Sequence, residues 1–311
     1  MTRRYWPLIL TLAFAWGASY LFIKVGVEGG FSPAALMAAR ALLAGFVLLG
    51  YLAISFGATT AVLRLRAAWR ESLVLGLLNA ALPFWLVAWG ETHIDSGPAA
   101  IAQATVPIFS LLIGLRFLPH ERISRTRIFG VCLGFVGVAF VAGVAPGGNG
   151  WAVAGTLAVV LASVFYASAG IYGQLRLRGT TSGPVLATGS MLAGGVILLP
   201  LAIARPPTTT PTAGAIVSLL LLSLVGTALA QLILFRVIAL FGARRLSLVT
   251  YLMPGIALGY GALILDETIK ASSLIGLALI LLGVALGSGA MQLRARRAIR
   301  AADPPSENGV R

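Results

Sequence analysis

The chain has 311 residues, 59% of them hydrophobic and only 10% charged. Soluble globular domains carry about 45–50% apolar and about 25% charged residues, so a water-soluble enzyme is excluded and a membrane protein is expected. The 23 Lys and Arg against 9 Asp and Glu leave a net charge of +14; in a soluble chain that excess points to nucleic acid, but not at this apolar content, and no nucleic-acid partner is expected.

Ten apolar segments of about 20 residues, the length that crosses a bilayer, follow one another along the chain: 6–24, 34–55, 72–90, 97–118, 127–145, 151–174, 184–204, 213–235, 243–265 and 271–291. Arg3 and Arg4 before the first run, with Ala13-Phe14-Ala15 inside it, imitate a signal peptide. The run continues past that triplet and reads as a retained helix. The loop 56–71 and the tail 292–311 are too short for soluble domains, and Asp303-Pro304-Pro305-Ser306-Glu307 marks the tail as disordered. The single cysteine, Cys132, lies between apolar neighbours and reads as an inert core thiol.

Nineteen of the 23 basic residues flank the termini and every second break between spans. Positive charge marks the cytoplasmic side, so both termini are expected in the cytoplasm. The exceptions are Lys24, Arg40, Arg205 and Lys270.

The second half echoes the first. Residues 43–54 of span 2 align with 192–203 of span 7 at 8 of 12 identical positions. Further on, Pro107, Glu121, Gly130, Gly137 and Gly143 match Pro254, Glu267, Gly276, Gly283 and Gly289 at offsets of 146 or 147. Five spans per copy is an odd number, so the second copy must enter the membrane from the opposite side. The expected fold is an all-α polytopic membrane protein of ten transmembrane helices, arranged as two inverted five-helix repeats over 1–148 and 149–291 and followed by the basic tail. Inverted repeats are characteristic of secondary transporters, whose two copies exchange conformations around one central site, although a duplication also persists without transport.

At this point the residues resemble the EamA-type transporters of the drug/metabolite transporter superfamily. The resemblance runs from Trp16-Gly17-Ala18-Ser19 with Lys24, through Pro33 and Arg40, to Pro107, Glu121-Arg122 and the Gly130/Gly134/Gly137 helix, answered by Pro254, Glu267 and Gly276/Gly283. Trp89-Gly90-Glu91 with Ser96-Gly97-Pro98-Ala99-Ala100 is similar to a stretch of one bacterial subgroup. The resemblance implies export of amino acids and other small metabolites or uptake of related solutes, a central cavity lined by spans 1, 3, 4, 6, 8 and 9, and a bacterial-type inner membrane.

A solute path shows as small and polar residues on one face of an apolar helix, because polar groups in hydrocarbon are costly unless they face protein or water. Span 4 supplies Ser96, Ala99, Gln103, Pro107, Ser110 and Gly114 at steps of three or four, and span 9 supplies Ser247, Thr250, Tyr251, Pro254 and Gly261. The cavity candidates are Trp16, Ser19, Tyr20, Asn79, Gln103, Pro107, Ser163, Tyr166, Thr227, Gln231, Thr250, Tyr251 and Pro254. Each has a plainer alternative. Serines and threonines in membrane helices bond their own backbone, Trp16 and Tyr20 also suit the core or the interface, and prolines also make static kinks.

Lys24, Arg40 and Glu91 near one end of the bundle form a candidate charge network, against which stand snorkelling of Lys24 and solvation of Glu91 and Asp95 at a helix end. Glu121 and Glu267 are expected to cap or pair near helix ends. The spacings Gly130-x-x-x-Gly134 and Gly283-x-x-x-Gly287 permit close helix approach, within one subunit by preference, so the chain is a monomer or a homodimer.

Alternating-access, secondary-active export of small amphipathic metabolites such as amino acids is the expected function, with a small-molecule solute and membrane lipids as partners. The alternatives are an intramembrane enzyme, a lipid scramblase and a receptor. Only two histidines exist, His93 and His120, and they fall at opposite faces. Neither a metal site nor a Ser-His catalytic pair can then be assembled, so no catalytic residue, metal or cofactor is expected, and no Gly-x-x-x-x-Gly-Lys motif signals ATP.

Overall fold

In hydrocarbon no solvent pairs with the backbone, so every N–H and C=O must find a partner inside the chain, and the described residues answer with helices alone. The computed structural model describes residues 2–117, 124–143, 149–176, 182–207, 209–241 and 246–287. Its helices are α1 (Thr2–Glu28), α2 (Pro33–Phe56), α3 (Ala58–Ala67), α4 (Trp69–Glu91), α5 (Ser96–Phe117) and α6 (Arg125–Ala142). There follow α7 (Gly150–Arg176), α8 (Gly183–Ala204), α9 (Ala213–Phe241), α10 (Ser247–Ile264) and α11 (Ala271–Gly287). Among the described residues eight helices have the length and apolarity of a membrane span, and two shorter apolar helices within α10 and α11 bring the set to the ten expected. Large apolar side chains cover the outside, Ile54 at 90% and Leu263 at 85% exposure, which is the surface a bilayer requires.

Several expectations are corrected here. The segment 56–71 is not a plain loop: Ala58–Ala67 forms a helix with Arg64 and Arg66 in its last turn, where cations complement the dipole. Cys132 is exposed rather than in the core, because α6 turns its glycine face inward and leaves the thiol outside. Span 8 runs on to Phe241. His120, Glu121, Arg122, Arg244, Arg245 and the tail 292–311 lie outside the described residues, as does the side chain of Ser247.

Three helices depart from regular α geometry, each beside the bundle axis. α4 carries a π-helical turn over Gly76–Ala81, and α9 carries one over Leu224–Leu229. The two turns are 148 residues apart, the same register as the sequence echo. In α4 the cause is visible: Pro83 has no N–H to offer the carbonyl of Asn79, and the ladder slips so that Leu82 N–H bonds Leu77 O. α5 is interrupted at Ala104–Thr105, between Ser96–Gln103 and Val106–Phe117. Pro107 likewise leaves the Gln103 carbonyl without an α-helical donor, and Ser163 Oγ of α7 approaches it at 3.4 Å. Pro254, by contrast, sits within an unbroken α10.

Small residues set the packing. A Cβ placed on Gly130 of α6 would lie 2.6 Å from Gly283 O of α11, and one on Gly137 would lie 2.8 Å from Gly276 O. Two backbones in contact gain the dispersion and weak polar attraction that hold helices together in lipid. The contacts cross over: Gly130 echoes Gly276 and Gly137 echoes Gly283 in the sequence, yet each meets the other's counterpart, which is the pattern a two-fold axis generates. The contact lies within one subunit, as preferred from the spacing.

Candidate functional site

A cavity of about 260 Å³ lies at mid-bundle, walled by α1, α2, α4, α5, α7, α9 and α10. Helical spacing puts Trp16, Ser19 and Tyr20 of α1 on its wall together. Asn79 reaches it from the π turn of α4, and Gly226 and Thr227 from the π turn of α9. A π turn widens the helix and redirects its side chains, so both distortions serve the cavity. Gln103 stands at the break in α5, Tyr166 comes from α7, Gln231 from α9 and Thr250 from α10.

Nine of the thirteen cavity candidates thus line the wall, and four do not. Ser163 is fully buried behind it, with Oγ 3.2 Å from Val159 O as well as near Gln103 O. Pro107 acts on the wall only through the Gln103 carbonyl it leaves free, while Pro254 and Tyr251 pack outside the lining. Ile23, Phe84, Val87, Val106, Leu234 and Met253 complete the wall and were missed, since an apolar wall residue has the same sequence signature as any core residue.

Arg40, a candidate for the charge network with Lys24 and Glu91, is also part of the wall. It is 7% exposed, its Nε donates to Thr227 Oγ1 at 2.9 Å, and its guanidinium stands 3.9 Å from the centre of the Phe84 ring. Thr227 Oγ1 in turn donates to Leu222 O at 2.8 Å, so the hydroxyl is held from both sides. Among the described residues no carboxylate is within ion-pair distance of Arg40. No acidic side chain lines the cavity.

The end of the bundle away from the N-terminus is crossed by polar contacts. Lys24 Nζ donates to Glu91 O at 3.0 Å and Ile94 O at 3.1 Å and pairs with Glu28 at 3.3 Å. It does not snorkel outward. Glu91, expected to be solvated, is fully buried with both carboxylate oxygens unpartnered, because the turn after α4 folds over it and Lys24 closes that turn. Glu267 caps α5: its carboxylate accepts from Ser96 N at 2.8 Å, Ser96 Oγ at 2.9 Å and Gly97 N at 3.3 Å. Asp95, at the N-cap position itself, makes no capping bond. Ser32 Oγ donates to Arg205 O, and Thr212 N to Gly29 O at 2.9 Å, across the α1–α2 and α8–α9 connections.

The model of the EamA-like transporter family matches the chain twice, over residues 5–143 and 153–289. Over 291 residues it is 30% identical to a "Probable terminal-alkyne amino-acid exporter" of Streptantibioticus cattleyicolor, covering 92% of this chain and 93% of that one. It is 31% identical over 197 residues to the "Uncharacterized inner membrane transporter YedA" of Escherichia coli K12, covering 61% and 59%. A chain of known crystal structure superposes with a TM-score of 0.63 over 94% of this chain and 97% of that one, at 20% identity, a likeness of fold alone. The chain belongs to the EamA-like transporter family and is a multi-span membrane transporter, not an enzyme.

Proposed function

We propose that the protein is a secondary-active exporter that moves small amphipathic metabolites, amino acids among them, by alternating access around the mid-bundle cavity. The observation that carries this reading is the cavity itself. It lines one space with amides and hydroxyls and with the aromatic rings of Trp16, Tyr20, Phe84 and Tyr166, so that the polar part of a solute exchanges water for polar partners while its apolar part meets the rings. Its volume falls just below the range of about 300–1,000 Å³ typical of drug-sized ligands, which suits metabolites rather than large lipophiles.

Two inverted repeats, 1–148 and 149–291, supply the mechanism. The matching π turns and the crosswise glycine contacts support them, since a pseudo-two-fold molecule can trade the conformations of its halves. The arrangement described is one of the two states, with the far end latched by Lys24 and Glu267. By the distribution of positive charge the termini lie in the cytoplasm, which makes the latched end the outer one in a bacterial-type inner membrane.

Counterflow in proteoliposomes against a panel of amino acids tests the reading. Saturable exchange that stops when Gln103 or Trp16 is replaced by Ala is expected. Movement of lipid between leaflets with no exchange of any panel member overturns it in favour of a scramblase.

A further inference from the structure

We infer that Arg40 is the carboxylate anchor of the cavity, so that the solutes recognised carry a free carboxylate. This rests on the cavity being the solute site, as proposed above.

A guanidinium offers five N–H donors and accepts nothing. At Arg40, Nε is bound to Thr227 and Nη1 approaches the Met37 sulfur at 3.7 Å. Nη2 makes no hydrogen bond among the described residues, no carboxylate lies within reach, and the group forms part of the cavity wall. A buried cation without a paired counter-ion is costly, and among the described residues the one carboxylate that acts on Arg40, that of the buried Glu91, does so from beyond ion-pair distance. An entering anion would pair with Arg40 directly.

The surroundings favour a planar anion held in one orientation. Phe84 lies against one face of the guanidinium and Thr227 fixes Nε, which leaves the Nη edge for the paired, parallel hydrogen bonds that carboxylates make with arginine. No aspartate or glutamate on the wall competes for that edge. Arg40 enters α2 seven residues after Pro33, about 10 Å along the axis at ~1.5 Å per residue. It therefore stands toward the latched end, where a bound anion would meet the roof of the cavity.

The rest of the solute is left to the hydroxyls and aromatic rings of the wall. Gln103 Oε1, though it has no hydrogen-bond partner, is enclosed and presents no surface to the cavity, so it selects nothing in the solute. A simple organic cation gives the guanidinium of Arg40 no acceptor.

The test uses L-leucine and L-phenylalanine with their methyl esters, their amides and the corresponding decarboxylated amines. Binding is read by thermal shift of the purified protein and transport by counterflow in proteoliposomes. The free carboxylates are expected to bind about tenfold or more tightly than the other forms, the order of one charge-assisted hydrogen bond. In Arg40→Gln the forms are expected to bind within about threefold of one another. Should Arg40→Gln fail to fold, Arg40→Lys, which keeps the charge but loses the fork, and Thr227→Val, which releases Nε, are expected to narrow the preference in the same direction. Counterflow in which esters and amines serve as well as the acids overturns the anchor and leaves the transporter reading standing. So does a preference unchanged in the Arg40 variants. Carboxylate-selective binding without counterflow does the reverse, and binding of none of the acids overturns the anchor.

Discussion

The ammonium of Lys24 donates to the backbone oxygen of Glu91 at 3.0 Å, while that residue's carboxylate, wholly buried, has no hydrogen-bond partner. The lysine therefore holds the end of α4 through its carbonyls, Glu91 O and Ile94 O, where helix C-termini lack donors of their own. Its ion pair with Glu28, which is 61% exposed, adds little. Lys24→Met is expected to cost about 2 kcal/mol, since hydrogen bonds to charged groups are worth about 1.5–3 kcal/mol. Glu91→Gln, which removes no hydrogen bond, is expected to stay within about 1 kcal/mol of the parent. Thermal unfolding in one detergent compares them; an equal loss in both variants would show that the carboxylate is the partner that matters.

The bond set of Glu267 ties the turn after α10 to the first turn of α5. Asp266 adopts a left-handed conformation, φ 54°, which turns the chain and brings Glu267 N–H to Gly261 O at 3.0 Å. The missing side chain at Gly261 leaves room for the carboxylate. A carboxylate at a helix N-terminus contributes about 1 kcal/mol through the dipole and its bonds, so Glu267→Gln is expected to shift the ratio of latched to unlatched molecules about fivefold. In a Cys132→Ser background, a cysteine replacing Val87 on the cavity wall is expected to react correspondingly faster with a membrane-impermeant maleimide added from the latched side. An unchanged labelling rate removes Glu267 from the latch.

Much of the site was readable from spacing, because a wall residue that is polar and repeats at three or four residues has few other reasons to be there. Trp16, Ser19 and Tyr20 of α1 obey this, as do Gln103 and Thr250, each four residues before a proline. Ser163 and Tyr251 carry polar atoms in equally suitable registers, yet Ser163 is turned to the backbone of α5 and α7 and Tyr251 packs on the core. Spacing defines a helix face but not the neighbour that faces it. Arg40 shows another limit of the sequence: charges near one end of a bundle suggest mutual influence, and only the structure shows which partners they bond, Lys24 the carbonyls of Glu91 and Ile94 and Arg40 the hydroxyl of Thr227. The π turns left one faint trace, Pro83 four residues after Asn79, and none in α9, where no proline marks the slip.

The glycine contact between α6 and α11 predicts a sharp contrast. An Ala Cβ at Gly130 would sit 2.6 Å from the Gly283 carbonyl oxygen and 2.9 Å from Gly287 N. Backbone atoms on both sides cannot yield without separating the helices. Overpacking of this kind costs about 1–3 kcal/mol for small groups, and Gly130→Leu is expected to exceed that and abolish a monodisperse preparation. Gly255→Ala on α10, where an added Cβ meets nothing within 4 Å, is expected to be neutral or to stabilise by up to about 1 kcal/mol through helix propensity. Size-exclusion profiles and melting curves of the two variants test the contrast; equal behaviour would place the α6–α11 contact in doubt.

Pro107 and Ser163 form the remaining coupled pair. The proline deprives the Gln103 carbonyl of its α-helical donor, and Ser163 Oγ stands 3.4 Å from that oxygen while also bonding Val159 O. Ser163→Ala in the parent is expected to cost about 1 kcal/mol, because it leaves a buried carbonyl without a protein donor. In a Pro107→Ala background the restored N–H of residue 107 takes over the same oxygen, α5 closes its break at Ala104–Thr105, and the cost of Ser163→Ala falls toward zero. The difference between the two costs is the coupling energy that a double-mutant cycle measures. Straightening α5 also moves Gln103 on the cavity wall, so Pro107→Ala alone is expected to slow counterflow several-fold at unchanged or improved stability. If the cycle is additive, the serine is not the partner of the carbonyl that the proline frees, and the break in α5 is held by packing alone.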